Sequence, residues 1–170
     1  MKNKIQFLNL GKHPITNNFL NKKNPKNEYF YNLKLIFHKS SKLVSLAKFV
    51  PPKKMFNEKY AHRASASKTM SLAYLNLAES IKIRFKPKSI LEIGSNDGVF
   101  LKNFNKKNII GVEPCKNLAK ITKAKGYKTY TEYWNMKLSK KITQKNKIDL
   151  IYSANTLSHI KDISSIFKAI

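Results

Sequence analysis

The chain has 170 residues, 42% of them hydrophobic, which suffices for one domain or for a small module and part of a larger one. No apolar run reaches the roughly 18 residues of a membrane span, and no apolar signal core follows the basic N-terminus. We therefore expect a cytoplasmic protein without a membrane partner. The single cysteine, Cys115, excludes an internal disulfide and a zinc site built on thiolate pairs, and we interpret it as a small residue at a helix start.

The net charge of +25 suggests a polyanionic partner. Only Arg63 and Arg84 are arginines among the 34 basic residues, however, and the lysines are spread along the whole chain. Surfaces that recognise phosphates and base edges favour the bidentate arginine fork. We therefore do not expect a nucleic-acid partner, although the excess lysine could help to hold an anionic substrate.

The N-terminal third carries a hairpin signal. Residues 1–27 are rich in Asn and Lys and are predicted to be irregular. Residues 31–37 alternate between apolar and more exposed positions, and residues 43–50 form a second β-rich run. Residues 38–42 supply the turn between them, and Pro51 ends the second strand. A lone hairpin is marginal in water, so it must pack on something else.

Residues 65–85 show the clearest helix pattern. Ser67 is placed to cap its N-terminus, and Pro87 ends it. Its apolar residues recur at helical spacing, and we assign them to core packing: Met70, Tyr74, Leu77, Ile81 and Phe85.

Strands and helices alternate after Pro87. The predicted strands are residues 89–93, 108–113, 127–134 and 148–154. The predicted helices are residues 99–105, 116–125 and 136–143, with Asp162 capping a last helix. This order predicts a parallel, doubly wound sheet.

The segment from Glu92 to Gly98 directly follows an apolar strand and is predicted to open a helix. Gly94 permits the sharp turn, and Gly98 allows close packing of helix and strand. The spacing G-x-x-x-G differs from the G-x-G-x-x-G of dinucleotide-binding folds. S-adenosylmethionine (SAM) has a zwitterionic amino-acid end and no pyrophosphate, so a loop of backbone amides with a nearby carboxylate suits it. We expect the loop, with Ser95, Asn96 and Asp97, to bind SAM, and Glu92 to serve its ammonium group.

A second acidic residue lies where a ribose-binding group is expected. Glu113 ends the second strand of the parallel sheet, 21 positions after Glu92. Its carboxylate can accept both ribose hydroxyls as charge-assisted bonds. Asp97 and Asp149 also fall near the carboxyl edge, so four of the nine acidic residues gather there. The alternatives are that Asp97 caps a helix and that Asp149 merely starts a strand, and for Asp149 we adopt this structural role.

Residues 153–159 follow the fourth strand of the parallel sheet. Asn155 is a candidate to bond the cofactor. His159 is a candidate to face the substrate, although it is equally consistent with a surface histidine on a loop.

At these residues the sequence resembles the sugar C-methyltransferases of deoxysugar biosynthesis. The likeness covers most of the chain, through residues 11–20, 60–67, 93–98, 111–114 and 155–159. The resemblance implies SAM as cofactor and a nucleotide-linked 4-keto-deoxysugar as substrate. A base would remove the acidic proton beside the ketone, and the enolate would attack the sulfonium methyl. It also implies that Tyr60 and His159 line the sugar side of the site.

Two departures from that family are evident. Its members open with a zinc module built on four cysteines, but here His38 and Ser41 occupy the places of one pair and the earlier pair is absent. We therefore expect no zinc. The family also continues beyond the point that corresponds to Ile170, so we expect a fragment that a second polypeptide could complete.

Together these patterns predict an α/β protein. Residues 1–60 would form a degenerate zinc-module-like region. Residues 61–170 would form a class I SAM-methyltransferase (Rossmann-like) sheet that is incomplete, with strands in the order 3-2-1-4. The predicted function is that of a SAM-dependent sugar C-methyltransferase. The alternatives are an RNA methyltransferase with a basic face and a non-catalytic binding module.

Overall fold

The computed structural model describes residues 3–20 and 28–170. The chain divides into two compact units, with the boundary between Phe56 and Asn57. The boundary predicted from the sequence lies after residue 60.

The first unit is a three-stranded antiparallel sheet of β1 (Lys4–Pro14), β2 (Phe30–His38) and β3 (Val44–Leu46), in that order. The predicted hairpin is confirmed as β2 and β3, with Leu35 opposite Leu46. Its turn closes where the His38 N–H donates to the Leu43 carbonyl at 2.9 Å. β3 is shorter than predicted because the chain bends after Leu46, and a single helical turn, α1 (Pro52–Met55), follows.

The prediction that residues 1–27 are irregular is wrong for β1. This strand pairs with β2 from Lys4 opposite His38 to Pro14 opposite Phe30. The strand contains two irregularities in the register, one of them between Asn9 and Lys12, on either side of Gly11. Pairing with β2 therefore overrides a weak local β-propensity. Residues 21–27 lie outside the described residues.

The second unit contains a four-stranded parallel sheet. Its strands are β4 (Ile90–Ile93), β5 (Ile109–Val112), β6 (Lys128–Tyr130) and β7 (Leu150–Tyr152), in the order β6-β5-β4-β7. Ile90 of β4 lies opposite Ile109 on one side and Leu150 on the other. Every residue of β4 and β5 is buried, as expected for central strands covered on both faces. This topology confirms the predicted class I fold and strand order.

Helices cover both faces of this sheet: α2 (Lys68–Phe85), α3 (Lys116–Ala124), α4 (Met136–Thr143) and α5 (Ile163–Lys168). α4 has the predicted bounds. The predicted caps are also confirmed, since the Ser67 hydroxyl accepts from the Met70 N–H at 3.2 Å and Asp162 accepts from the Ser165 N–H at 3.0 Å. One core cluster lies under α4 and α5, and a second lies under α2.

The predicted helix over residues 99–105 is wrong, because only a 3-10 turn, Leu101–Asn103, forms there. The Asn103 side chain donates to the carbonyls of Val99 at 3.1 Å and Phe100 at 3.2 Å. An asparagine that competes for backbone carbonyls in this way favours a turn over a longer helix. Phe100 and Leu101 are fully buried and fix this turn against the sheet.

The apolar stripe of α2 is only partly in the core. Ala78 and Ile81 are buried and Tyr74 is half-buried, whereas Leu77 is 36% and Phe85 59% exposed. The buried line therefore follows positions 74, 78 and 81, and the assignment of Leu77 and Phe85 to the core is wrong. No helix in the described part of the chain is long and apolar enough to cross a membrane.

Ser67→Ala is expected to lower the free energy of unfolding by about 1 kcal/mol, because it removes the hydroxyl that accepts from the first turn of α2. Chemical denaturation followed by circular dichroism measures this. Ser80→Ala is the matched control, since Ser80 is exposed on the same helix and caps nothing. Equal stability of the Ser67 and Ser80 variants would contradict the capping role.

Candidate functional site

The turn between β4 and the 3-10 turn depends on two glycines with positive φ. Gly94 has φ +79°, and a Cβ there would collide with the side chain of Thr156. Gly98 has φ +84°, and a Cβ there would lie 2.9 Å from Cγ2 of Thr122 in α3. Both positions therefore require a residue without a side chain. The close approach at Gly98 is to α3, which the sequence analysis did not anticipate.

The backbone amides of this turn are engaged in hydrogen bonds inside the protein. All five N–H groups from position 94 to position 98 donate to protein acceptors. Gly94 and Ser95 donate to the Val112 carbonyl, Asn96 to Glu113 Oε2, Asp97 to Asn96 Oδ1, and Gly98 to the Ser95 carbonyl, at 2.8 to 3.1 Å. The turn is therefore rigid, but it does not present these donors to a ligand.

Glu113 connects the end of β5 to this turn. Its Oε2 accepts from the Asn96 N–H and its Oε1 from the Cys115 N–H, both at 2.8 Å. Burial raises the pKa of this carboxyl, and the backbone donors oppose that rise. Each oxygen has a second lone pair, so the carboxylate can still accept bonds from a ligand's hydroxyl groups. Cys115 is buried immediately before α3, at the predicted helix start.

Glu92 is 3% exposed, and its Oε2 has no hydrogen-bond partner among the described residues. Burial raises the pKa of its carboxyl well above the usual value, and the nearby carboxylates of Glu113 and Asp97 raise it further. The buried hydroxyl of Ser95 also lacks a partner in the described part of the chain. Buried polar groups of native proteins normally have partners, so these two atoms mark a place for a polar ligand.

Two tyrosines that the sequence analysis did not assign to the site lie next to Glu92. Burial raises the pKa values of Tyr74 in α2 and Tyr152 in β7, and the Glu92 charge raises both of them further. Phe100 stacks on Tyr152 with ring centroids 4.2 Å apart. The position of Tyr152 at the carboxyl end of β7 could have indicated that it lies at the site. Tyr74 could not be found in this way, because its helical spacing indicates core packing.

Residues 60–67, referred to here as the strap, are held by the turn after β4. Asn96 accepts from the Ala64 N–H at 2.9 Å and donates to the His62 carbonyl at 3.3 Å. Asp97 accepts from the N–H of Ser65 at 3.2 Å and from its hydroxyl at 2.5 Å. The side chains of Asn96 and Asp97 thus position the strap, and their predicted role in binding the cofactor stays a prediction. The alternative that Asp97 caps a helix is wrong.

Tyr60, Asn155 and His159 are the other residues predicted to line the site. Tyr60 is half-buried in the strap, and its carbonyl accepts from the Asn117 side chain at 2.8 Å. Asn155 is exposed with a positive φ of 52°, and His159 is exposed in a 3-10 turn. Their roles toward cofactor and substrate stay predictions. Asp149 accepts from the backbone N–H groups of Lys88 and Ser89, just before β4, which is the structural role expected for it. It therefore lies at the amino edge of the sheet, and its predicted place near the carboxyl edge is wrong.

The acidic cluster formed by Glu92, Asp97 and Glu113 is buried, and no basic residue in the described part of the chain forms an ion pair with it. In the part of the chain that the structure describes, the ion pairs are Lys82–Glu79 and Lys141–Glu132, both on the surface. A buried carboxylate without a counter-charge is unfavourable. The cluster is therefore suited to a ligand that brings positive charge into this edge of the sheet.

Two domain families match the chain. The family described as "Methyltransferase domain" matches residues 60–170. The family described as "Putative zinc binding domain" matches residues 1–56. The potential ligands of that segment, His13, Glu28 and His38, include no cysteine and are too few for a four-coordinate site. No group of three or more such residues able to hold a metal is present among the described residues, so the segment does not fit zinc.

Solved structures with similar chains include two plantazolicin methyltransferases. BamL, in complex with SAH and a triazolic desmethylPZN analog, is 18% identical with a TM-score of 0.45, over 59% of this chain and 41% of that one. BpumL, in complex with SAH, is 17% identical with a TM-score of 0.43, over 58% of this chain and 40% of the BpumL chain. A Methanococcus maripaludis protein, described as a "putative s-adenosyl-l-methionine-dependent methyltransferase", is 17% identical with a TM-score of 0.43, over 63% and 57%.

This chain thus spans less than half the length of the two plantazolicin enzymes. No protein of curated function matches the sequence. The methyltransferase domain family covers most of the chain, and the sheet order agrees with it. The chain therefore belongs to the methyltransferase domain family, with the class I fold of SAM-dependent methyltransferases.

Proposed function

We propose that the second unit binds SAM at the carboxyl edge of β4 and β5 and serves a SAM-dependent methyl transfer. The observation that carries this proposal is the acidic cluster with its unpartnered Glu92 oxygen. SAM brings two positive charges, the sulfonium and the ammonium, and one carboxylate. Bound there, its cations offset the buried negative charge that the protein leaves uncompensated.

Glu92 and Glu113 have different tasks in this proposal. The free Oε2 of Glu92 accepts from the ammonium group of the cofactor, directly or through water. Glu113 keeps its two backbone donors and accepts the ribose hydroxyls on the remaining lone pairs. The Gly94–Gly98 turn fixes both carboxylates relative to each other without donating to the ligand.

The substrate we propose is a nucleotide-linked 4-keto-deoxysugar. The order of the two matching families, a zinc-binding type before a methyltransferase domain, supports this choice, because the sugar C-methyltransferases have that order. A base removes the proton from the carbon beside the ketone. The enolate carbon then attacks the methyl group, the carbon–sulfur bond breaks, and SAH leaves. Tyr60 and His159 are the residues of this chain that we place beside the sugar.

Glu113→Gln is expected to weaken SAM binding by about 1.5–3 kcal/mol, because the neutral amide loses charge-assisted bonds to ribose. Isothermal titration calorimetry measures the affinity. Glu79→Gln is the matched control, since Glu79 is exposed and pairs only with Lys82 on the helix surface. An unchanged affinity in the Glu113 variant would remove the ribose role.

Glu92→Gln is expected to weaken SAM binding and yet to stabilise the ligand-free protein at pH 8 more than at pH 5. The folded-state pKa of Glu92 is raised, so the wild-type protein loses stability as the pH rises from the unfolded pKa toward that raised value. The loss amounts to about 1.4 kcal/mol per pH unit in that window, and glutamine removes it. Denaturation curves at both pH values test this. If the difference in unfolding free energy between the variant and the wild type does not grow from pH 5 to pH 8, the prediction is contradicted.

The acceptor is tested with SAM labelled in its methyl group. We expect label to appear on carbon in a nucleotide-linked 4-keto-deoxysugar, and not in the corresponding 4-hydroxy sugar, which has no acidic proton. Labelling of RNA instead would favour the RNA methyltransferase alternative. SAM binding without transfer to any acceptor would favour a binding module.

A further inference from the structure

We propose that Arg63, in the strap, binds the carboxylate of the methionine part of SAM. This inference rests on the proposed SAM site and adds a residue that determines which ligand the site accepts. It follows from three observations: the engaged amides of the turn, the charge of the acidic cluster, and the position of Arg63 between two anchored residues.

The carboxylate end of the ligand cannot be held by the turn itself. All five backbone N–H groups of positions 94–98 donate to protein acceptors, so a ligand carboxylate would have to replace an existing hydrogen bond to reach any of them. The side chains of Asn96 and Asp97 are occupied by the strap. The usual anion-binding device of a glycine-rich turn is therefore absent from this site.

The charge of the site makes a cationic side chain necessary. Glu92, Asp97 and Glu113 repel a carboxylate, and in the described part of the chain no lysine or arginine forms an ion pair with them. A ligand that carries both ammonium and carboxylate on one carbon must place the carboxylate a few ångströms from its ammonium. A positive group beside the acidic cluster would then bind the carboxylate and compensate the cluster's charge.

Arg63 is the arginine whose backbone lies beside the turn. The residues before and after it are both fixed by Asn96, through the His62 carbonyl at 3.3 Å and the Ala64 N–H at 2.9 Å. Its backbone is therefore anchored to the turn, while its side chain is exposed and available. A guanidinium offers two parallel donors that match a carboxylate. Arg84, the other arginine, lies in the last turn of α2, with its guanidinium 5.5 Å from the centre of the Phe85 ring.

Decarboxylated SAM provides the test, because it retains the sulfonium, ammonium and ribose groups and lacks only the carboxylate. Calorimetric titrations compare SAM with decarboxylated SAM on the wild-type chain, Arg63→Ala, Arg63→Lys and the matched control Arg84→Ala. We expect Arg63→Ala to weaken SAM binding about 10- to 100-fold and to change the affinity for decarboxylated SAM less than about threefold. Arg63→Lys should retain part of the affinity for SAM, and Arg84→Ala should bind both ligands like the wild type.

The ratio of the two affinities separates the possible failures. If Arg63→Ala loses affinity equally for both ligands, Arg63 only supports the structure of the strap and the proposal is overturned. Unchanged SAM affinity in that variant would also overturn it. If the wild-type chain binds neither ligand, the proposed SAM site itself is wrong. Glu113→Gln is the reference for a variant that affects both ligands equally, because both retain the ribose and should lose affinity alike.

Discussion

The Glu113 carboxylate holds the site together. With one oxygen on the Asn96 N–H and the other on the Cys115 N–H, it fixes the end of β5 to the turn after β4. Once the backbone of Asn96 is fixed, its side chain is aimed at the strap, where it holds the residues on both sides of Arg63. One buried acid therefore orders two sheet strands, a glycine-rich turn and a segment that precedes them in the chain.

This arrangement is unfavourable without a ligand. Three acids are buried close together in a chain with a net charge of +25, and no lysine or arginine among the described residues pairs with them. Burial and mutual repulsion raise the pKa of Glu92 most clearly. A buried carboxyl that has no partner among the described residues lowers the stability of the fold, and such groups are typical of functional sites rather than of packed cores. The cost is offset when a cation of suitable shape occupies the site.

The sequence predicts the parts of the fold that depend on local patterns. The spacing of Gly94, Gly98 and Glu113 predicts the turn and its strands, and Ser67 and Asp162 cap their helices as expected. Contacts between distant residues are less predictable. The length of β1 depends on its pairing with β2, and the side chain of Asp97 bonds to Ser65, 32 positions earlier. No local pattern in the sequence indicates such a bond.

The most direct test of this account measures the ionisation of Glu92 by carbon-13 NMR of its carboxyl group. In the ligand-free protein the carboxyl should titrate well above the usual glutamate range, with Glu92→Gln identifying the signal. Saturation with SAM should shift that titration to lower pH, because the ammonium group stabilises the carboxylate. A Glu92 signal that titrates at the same pH with and without SAM would contradict the central claim that this buried carboxyl receives the cofactor's cation.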